Sequence, residues 1–245
     1  MNNKYMYIAI ASIAIILFLY IYQFYYILSY NISNDPAVWG QLGDYAGGLL
    51  NPILSFLSLI LLIKSLTLQN ETNKALKEEL RHNEKTEKLK MFETQFFNML
   101  NSQNLAFDSF KIEVKKNSGI ETKKSVEAII TIEEKIEELR RNQNSDIVIK
   151  KFLEKIDSSD QIFSATRRFY IMVQMISEKL CNMNGFSKGE RRSHFLTLIN
   201  FTDFSLLRLI MMSMQFLDYQ STQYLKDNHE FNSVLQELGI NWNLY

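Results

Sequence analysis

Asp44, Gly48, Asn51, Ser55 and Ser58 follow one another at spacings of 4, 3, 4 and 3, so on a helix they form one continuous stripe of polar or small residues. A carboxylate, an amide and two hydroxyls in line could hold water or ions, or could bond to a neighbouring helix. Leucines and isoleucines fill the other faces of the same segment. Two uses remain open at this point. The stripe packs its helix against another helix or a second copy, or several copies turn it inward to line a water-filled path. Polar groups at membrane depth usually face a bundle interior or a cavity, and Asn and Ser cost far less there than charges do. Gly43-x-x-x-Gly47 on an adjoining strip allows close helix approach in lipid. Pro52 removes one backbone bond, and a neighbouring helix or water must then satisfy the freed carbonyl.

Other chemistry finds no support. His82, His194 and His229 sit at no metal-ligand spacing, and surface or capping roles are expected for them. There is no glycine-rich phosphate loop and no strand pattern to precede one. Glu133-Glu134 and Glu137-Glu138 lie beside Lys135 and Arg140 and read as a solvated, salt-bridged helix face. Cys181 is alone, which rules out an internal disulfide and suits a small buried hydrophobe in a reducing compartment. No catalytic constellation, metal site or cofactor site emerges, so a non-enzymatic protein is expected.

The elements that carry the stripe come from charge and hydropathy. Between Tyr5 and Ile63 there is no Lys or Arg, and two apolar runs, Tyr5–Tyr30 and Tyr45–Ile63, flank a loop marked by Asp35 and Asp44. A helix needs roughly 20 apolar residues to cross a bilayer, so both runs can span. The pattern predicts a transmembrane hairpin over residues 1–64, with spans at about 5–30 and 45–63. The first run is too long for a secretory signal and reads as a signal anchor. Lys4 precedes span one and Lys64, Lys74, Lys77 and Arg81 follow span two, while Asn31–Gly43 holds no basic residue, so both termini face the cytoplasm. Tyr20, Tyr22, Phe24, Tyr25, Tyr26 and Tyr30 at the outer end of span one, with Trp39 in the loop, form the matching aromatic belt.

The chain has 245 residues, enough beyond the hairpin for a domain with its own core. Formal charges balance at 27 and 27, and removing Lys4, Asp35 and Asp44 leaves 26 basic against 25 acidic residues. Strong nucleic-acid binding by bulk charge is therefore not expected. Pro36 and Pro52 are the only prolines, which predicts an almost wholly helical remainder. Residues 65–88 read as a charged stalk helix and 89–245 as a cytoplasmic helical domain. Its inward stripes start with Leu89, Phe92, Phe96, Leu100, Phe107 and Phe110. Asp160, the Ser187-x-x-Glu190 capping box, and Thr202 or Asp203 are expected helix starts. Leu206–Leu217, apolar nearly all round, is the expected central helix, and one last helix carries Phe231, Val234, Leu235 and Leu238. The fold class is an all-α membrane protein.

Trp39–Gln69 resembles a signature of the phage abortive infection protein family (AbiC-like), which includes retron-associated two-span membrane effectors. Trp39, Gly43, Asp44, Gly47, Gly48, Asn51, Pro52 and Gln69 match that signature in order. Met91–Gln103 is similar to the family's Phe-rich segment. Where relatives carry an Arg and a Glu near the C-terminal aromatic-apolar helices, this chain has Leu198 and Ser205, a departure from the pattern. The resemblance implies an antiviral effector of the bacterial inner membrane that damages or depolarises it on infection. It also implies a homo-oligomer and, in retron systems, a reverse transcriptase with its RNA–DNA hybrid as partner. The alternative is a membrane-tethered sensor or scaffold whose cytoplasmic helices bind a partner protein.

Overall fold

A computed structural model describes residues 4–29, 31–116 and 119–245. The chain divides into two compact units, Met1–Arg81 and His82–Tyr245. The expected belt residue Tyr30 lies outside the described residues.

In the first unit, α1 (Lys4–Ile21) continues as a π-helical turn, Tyr22–Ile27. The next helix, α2, runs over Pro36–Asp108 and thus passes into the second unit. It begins well before Tyr45, which corrects the expected loop: Trp39 is helical. The local chemistry explains the early start. Asp35 Oδ1 accepts from the Ala37 N–H at 2.9 Å, Pro36 takes a first-turn position where no N–H is needed, and the Trp39 indole donates to the Ser33 carbonyl at 2.9 Å. The Tyr20 and Tyr45 rings lie 5.6 Å apart, and Lys64 Nζ sits 5.4 Å above the Tyr5 ring, so α1 and this part of α2 run antiparallel. Both helices are long and apolar enough to cross a membrane, and almost none of the residues in their apolar stretches is fully buried, large side chains such as Phe18, Leu19, Phe56 and Leu62 being exposed. Such surface is not tolerated in water and marks membrane association.

The second unit is helical apart from one ribbon. Strands β1 (Lys111–Lys116) and β2 (Gly119–Lys124) pair antiparallel, with Ile112 opposite Lys123 and Val114 opposite Glu121. This corrects the expectation of no strands. Ile112 is buried and Val114 packs on the core, while Lys111 and Glu113 point outward, the period-two pattern of a half-buried strand.

Helices α3 (Ser125–Arg141), α4 (Asp146–Ile156), α5 (Gln161–Lys179), α6 (Lys188–Phe201), α7 (Phe204–Phe216), α8 (Gln220–Asp227) and α9 (His229–Glu237) follow. α7 is the central helix: its apolar side chains from Leu206 on are buried, and it packs against α3, α4, α5 and α8. α6 and α7 together are apolar enough for a bent span, at 110°, but the burial of α7 makes it the domain's core. Asp203, one of the two expected caps, accepts from the Ser205 and Leu206 N–H groups, and Ser187 with Glu190 closes the expected capping box. Asp160 does not cap α5. It adopts a left-handed φ of 53°, and Asp157 instead accepts from Ile162 at 2.7 Å and Phe163 at 3.0 Å. The expected last helix is α9, with Phe231, Val234 and Leu235 buried; a short further helix, α8, precedes it, and the Asn228 side chain between them caps α9 through the Phe231 N–H.

Candidate functional site

The five stripe residues all lie on α2 and all are exposed. The half-covered residues of this segment are Leu42, Ala46, Gly47, Leu50, Leu54, Leu57 and Ile60, a different side of the helix. On α1 the covered positions are Tyr5, Ala9, Ser12, Ile16 and Tyr20, again at helical spacing. Both helices therefore cover each other with apolar or small faces, and the stripe points away from α1.

Its hydrogen-bonding capacity is largely unspent. Ser58 Oγ returns to the Leu54 carbonyl at 2.8 Å, but among the described residues neither the Asn51 amide nor the Ser55 hydroxyl has a partner. Pro52 has no N–H to offer the Gly48 carbonyl one turn earlier, which adds an acceptor on the same strip. A Cβ built on Gly43 or Gly48 would meet nothing within 4 Å, and one on Gly47 would stand 3.8 Å from Asn51 Nδ2. Within one chain, then, no helix approaches closely enough to require these glycines. Of the remaining motif residues, Trp39 anchors the first turn of α2, Pro52 lies inside the helix, and Gln69 is exposed farther along it.

The second unit holds polar clusters that sequence reasoning missed. Arg191 bonds Glu230 through two parallel contacts of 2.7 and 2.8 Å and also donates to the Leu180 carbonyl and Asn182 Oδ1. Glu133 does not belong to a solvated face: its carboxylate takes Arg208 Nη1 and the Tyr245 hydroxyl. The Tyr245 phenol is pushed well above its ordinary range, first by burial and then by Glu133. Glu134, Glu137 and Glu138 are exposed, and Lys135 reaches Glu138 at 2.7 Å, as expected for a solvated face. Among the described residues Arg168 has no acidic partner, and burial lowers its pKa. Its Nε and the Oε1 of buried Gln103 are both unbonded beside a small closed void.

His194 is half-buried edge-on to Phe92, with Nδ1 2.8 Å from the Glu190 carbonyl. Cys181 is half-exposed, because it opens the turn that leads to Gly185 and is not on a core face. Leu198 is a core side chain and Ser205 a buried residue in the first turn of α7, so no ion pair joins those two positions. Among the described residues no group of three or more His, Cys, Asp or Glu is placed to hold a metal. No family model, curated protein or solved structure matches this chain.

Proposed function

We propose that this chain is a two-span protein of the bacterial inner membrane, with both termini in the cytoplasm, that acts as an anti-phage effector by permeabilising that membrane. The observation that carries the membrane step is the outward-facing stripe. An amide or hydroxyl in hydrocarbon without a partner costs several kcal/mol by water-to-alkane transfer, so Asn51 and Ser55 need water or another protein helix. Copies that gather these faces around an axis would supply both, and would leave a hydrated path. The abortive-infection part of the reading rests on the eight ordered motif residues from Trp39 to Gln69 and on no other observation. In it, the helical unit His82–Tyr245 receives the infection signal, through a retron reverse transcriptase or another partner.

Induced expression in bacteria loaded with a potential-sensitive dye tests this. An effector freed of its restraint collapses the membrane potential within the induction period. Cells that keep their potential at a high membrane level of the protein would support the scaffold reading instead.

A further inference from the structure

We propose that α2 associates side by side and in parallel with α2 of further copies of this chain, along a heptad seam that runs from Leu59 to Leu80. It rests on the membrane reading only for the common orientation of the copies.

The seam positions are Leu59, Leu62, Leu66, Gln69, Asn73, Leu76 and Leu80, which alternate spacings of 3 and 4 without a break. Their leucines are exposed although they belong to one uninterrupted helix. A 3–4 repeat keeps one strip facing a partner helix after slight supercoiling, and it has no other structural use on a helix with no covering neighbour there. α1 leaves this side open. At about 100° per residue, the covered residues Leu50, Leu54 and Leu57 sit about 90° to 150° around the axis from the mean direction of the seam. The stripe through Asn51 and Ser55 lies about 10° from the mean direction of the seam, so the seam continues the stripe along the same uncovered side.

The polar members identify the occupant. Gln69 and Asn73 carry amides that both donate and accept, so each can pair with its own counterpart on an identical helix at the same height. Insertion from the same side of a membrane sets the copies parallel and brings residue 73 level with residue 73. A buried Asn at such a position fixes register at some cost in stability. Beyond Leu80 the corresponding positions are Asn83, Glu87 and Lys90, so the seam stops there.

Full-length protein with Cys181→Ser, the lone native thiol removed, supplies the test. Single cysteines replace Leu76 or Leu80 on the seam and Lys74 or Glu78 on the far side, and isolated membranes are oxidised. Expected is a disulfide-linked dimer at Leu76→Cys and Leu80→Cys and monomer at Lys74→Cys and Glu78→Cys. Adding Asn73→Lys to Leu76→Cys should abolish that dimer. Equal linkage at all four sites, or none at the seam, overturns the inference. Alkaline carbonate washing separates this from the functional reading. Protein that stays in the membrane with face-blind linkage removes the seam alone, whereas protein washed out with seam-selective linkage removes the membrane reading alone.

Discussion

The Arg191 guanidinium grips the Glu230 carboxylate with Nε to Oε2 at 2.7 Å and Nη2 to Oε1 at 2.8 Å, fastening α6 to α9. Its remaining donor reaches the Leu180 carbonyl at 3.0 Å and so ties in the end of α5 as well. Arg191 is buried, and removing its partner strands a charge in the domain interior. Glu230→Gln should therefore destabilise the helical unit by about 2 kcal/mol, below the range for fully buried pairs because Glu230 keeps some solvent contact. Glu138→Gln at the exposed Lys135 pair should cost under about 0.5 kcal/mol. Thermal unfolding of the detergent-solubilised chain measures both.

Acid should loosen the same unit. The hydrogen bond from Arg191 holds the Glu230 carboxyl below its usual range, and the Ser187 N–H, followed by Lys85, draws Glu190 down to about 2. A carboxylate with a lowered folded pKa adds stability that is complete above its unfolded value of about 4.5 and disappears as pH falls through the folded value. Unfolding midpoints should drop between about pH 4.5 and pH 2. Glu230→Gln should flatten part of that slope, and an unchanged slope would remove Glu230 from the account.

Asp157, and not Asp160, caps α5. Asp157→Ala should cost about 1 kcal/mol by leaving the Ile162 and Phe163 N–H groups without an acceptor. Asp160→Gly should be neutral or slightly stabilising, because a φ of 53° suits glycine better. Reversal of that order in denaturant unfolding contradicts the cap assignment.

These two aspartates show where the sequence was legible. Long periodic stripes survive as read: Phe92, Phe96, Leu100 and Phe107 are buried at their expected spacing, and so is nearly all of α7. Caps two or three residues apart compete, and backbone geometry that sequence does not display decides between Asp157 and Asp160. The ribbon was hidden because Ile112 and Val114 offer only two apolar positions among lysines and glutamates, too few to establish a period. The polar stripe was visible as spacing alone. That it turns away from α1 depends on which faces the two helices cover, and leucine-rich faces do not announce their partner in advance.

Both ends of the chain should lie in the cytoplasm, from Lys4 on one side of the spans and Lys64, Lys74, Lys77 and Arg81 on the other. A reporter joined after Tyr245 should be active only if it is an enzyme that works in the cytoplasm. Activity of a periplasm-only reporter at that position would reverse the topology and place the helical unit outside.

The stripe is the centre of the functional account, and Asn51→Leu with Ser55→Leu is its most direct test. The double change keeps the span apolar and insertion-competent while it removes the two unpartnered groups from the exposed face. Ile53→Leu, also exposed, serves as the volume-conserving control. At equal membrane levels, membrane potential and phage plaquing are compared with the parent. The account predicts that the double variant no longer depolarises cells and no longer protects them, while Ile53→Leu does both. Full depolarisation and protection by the Asn51/Ser55 double variant would contradict it and reduce this helix to an anchor or a packing surface.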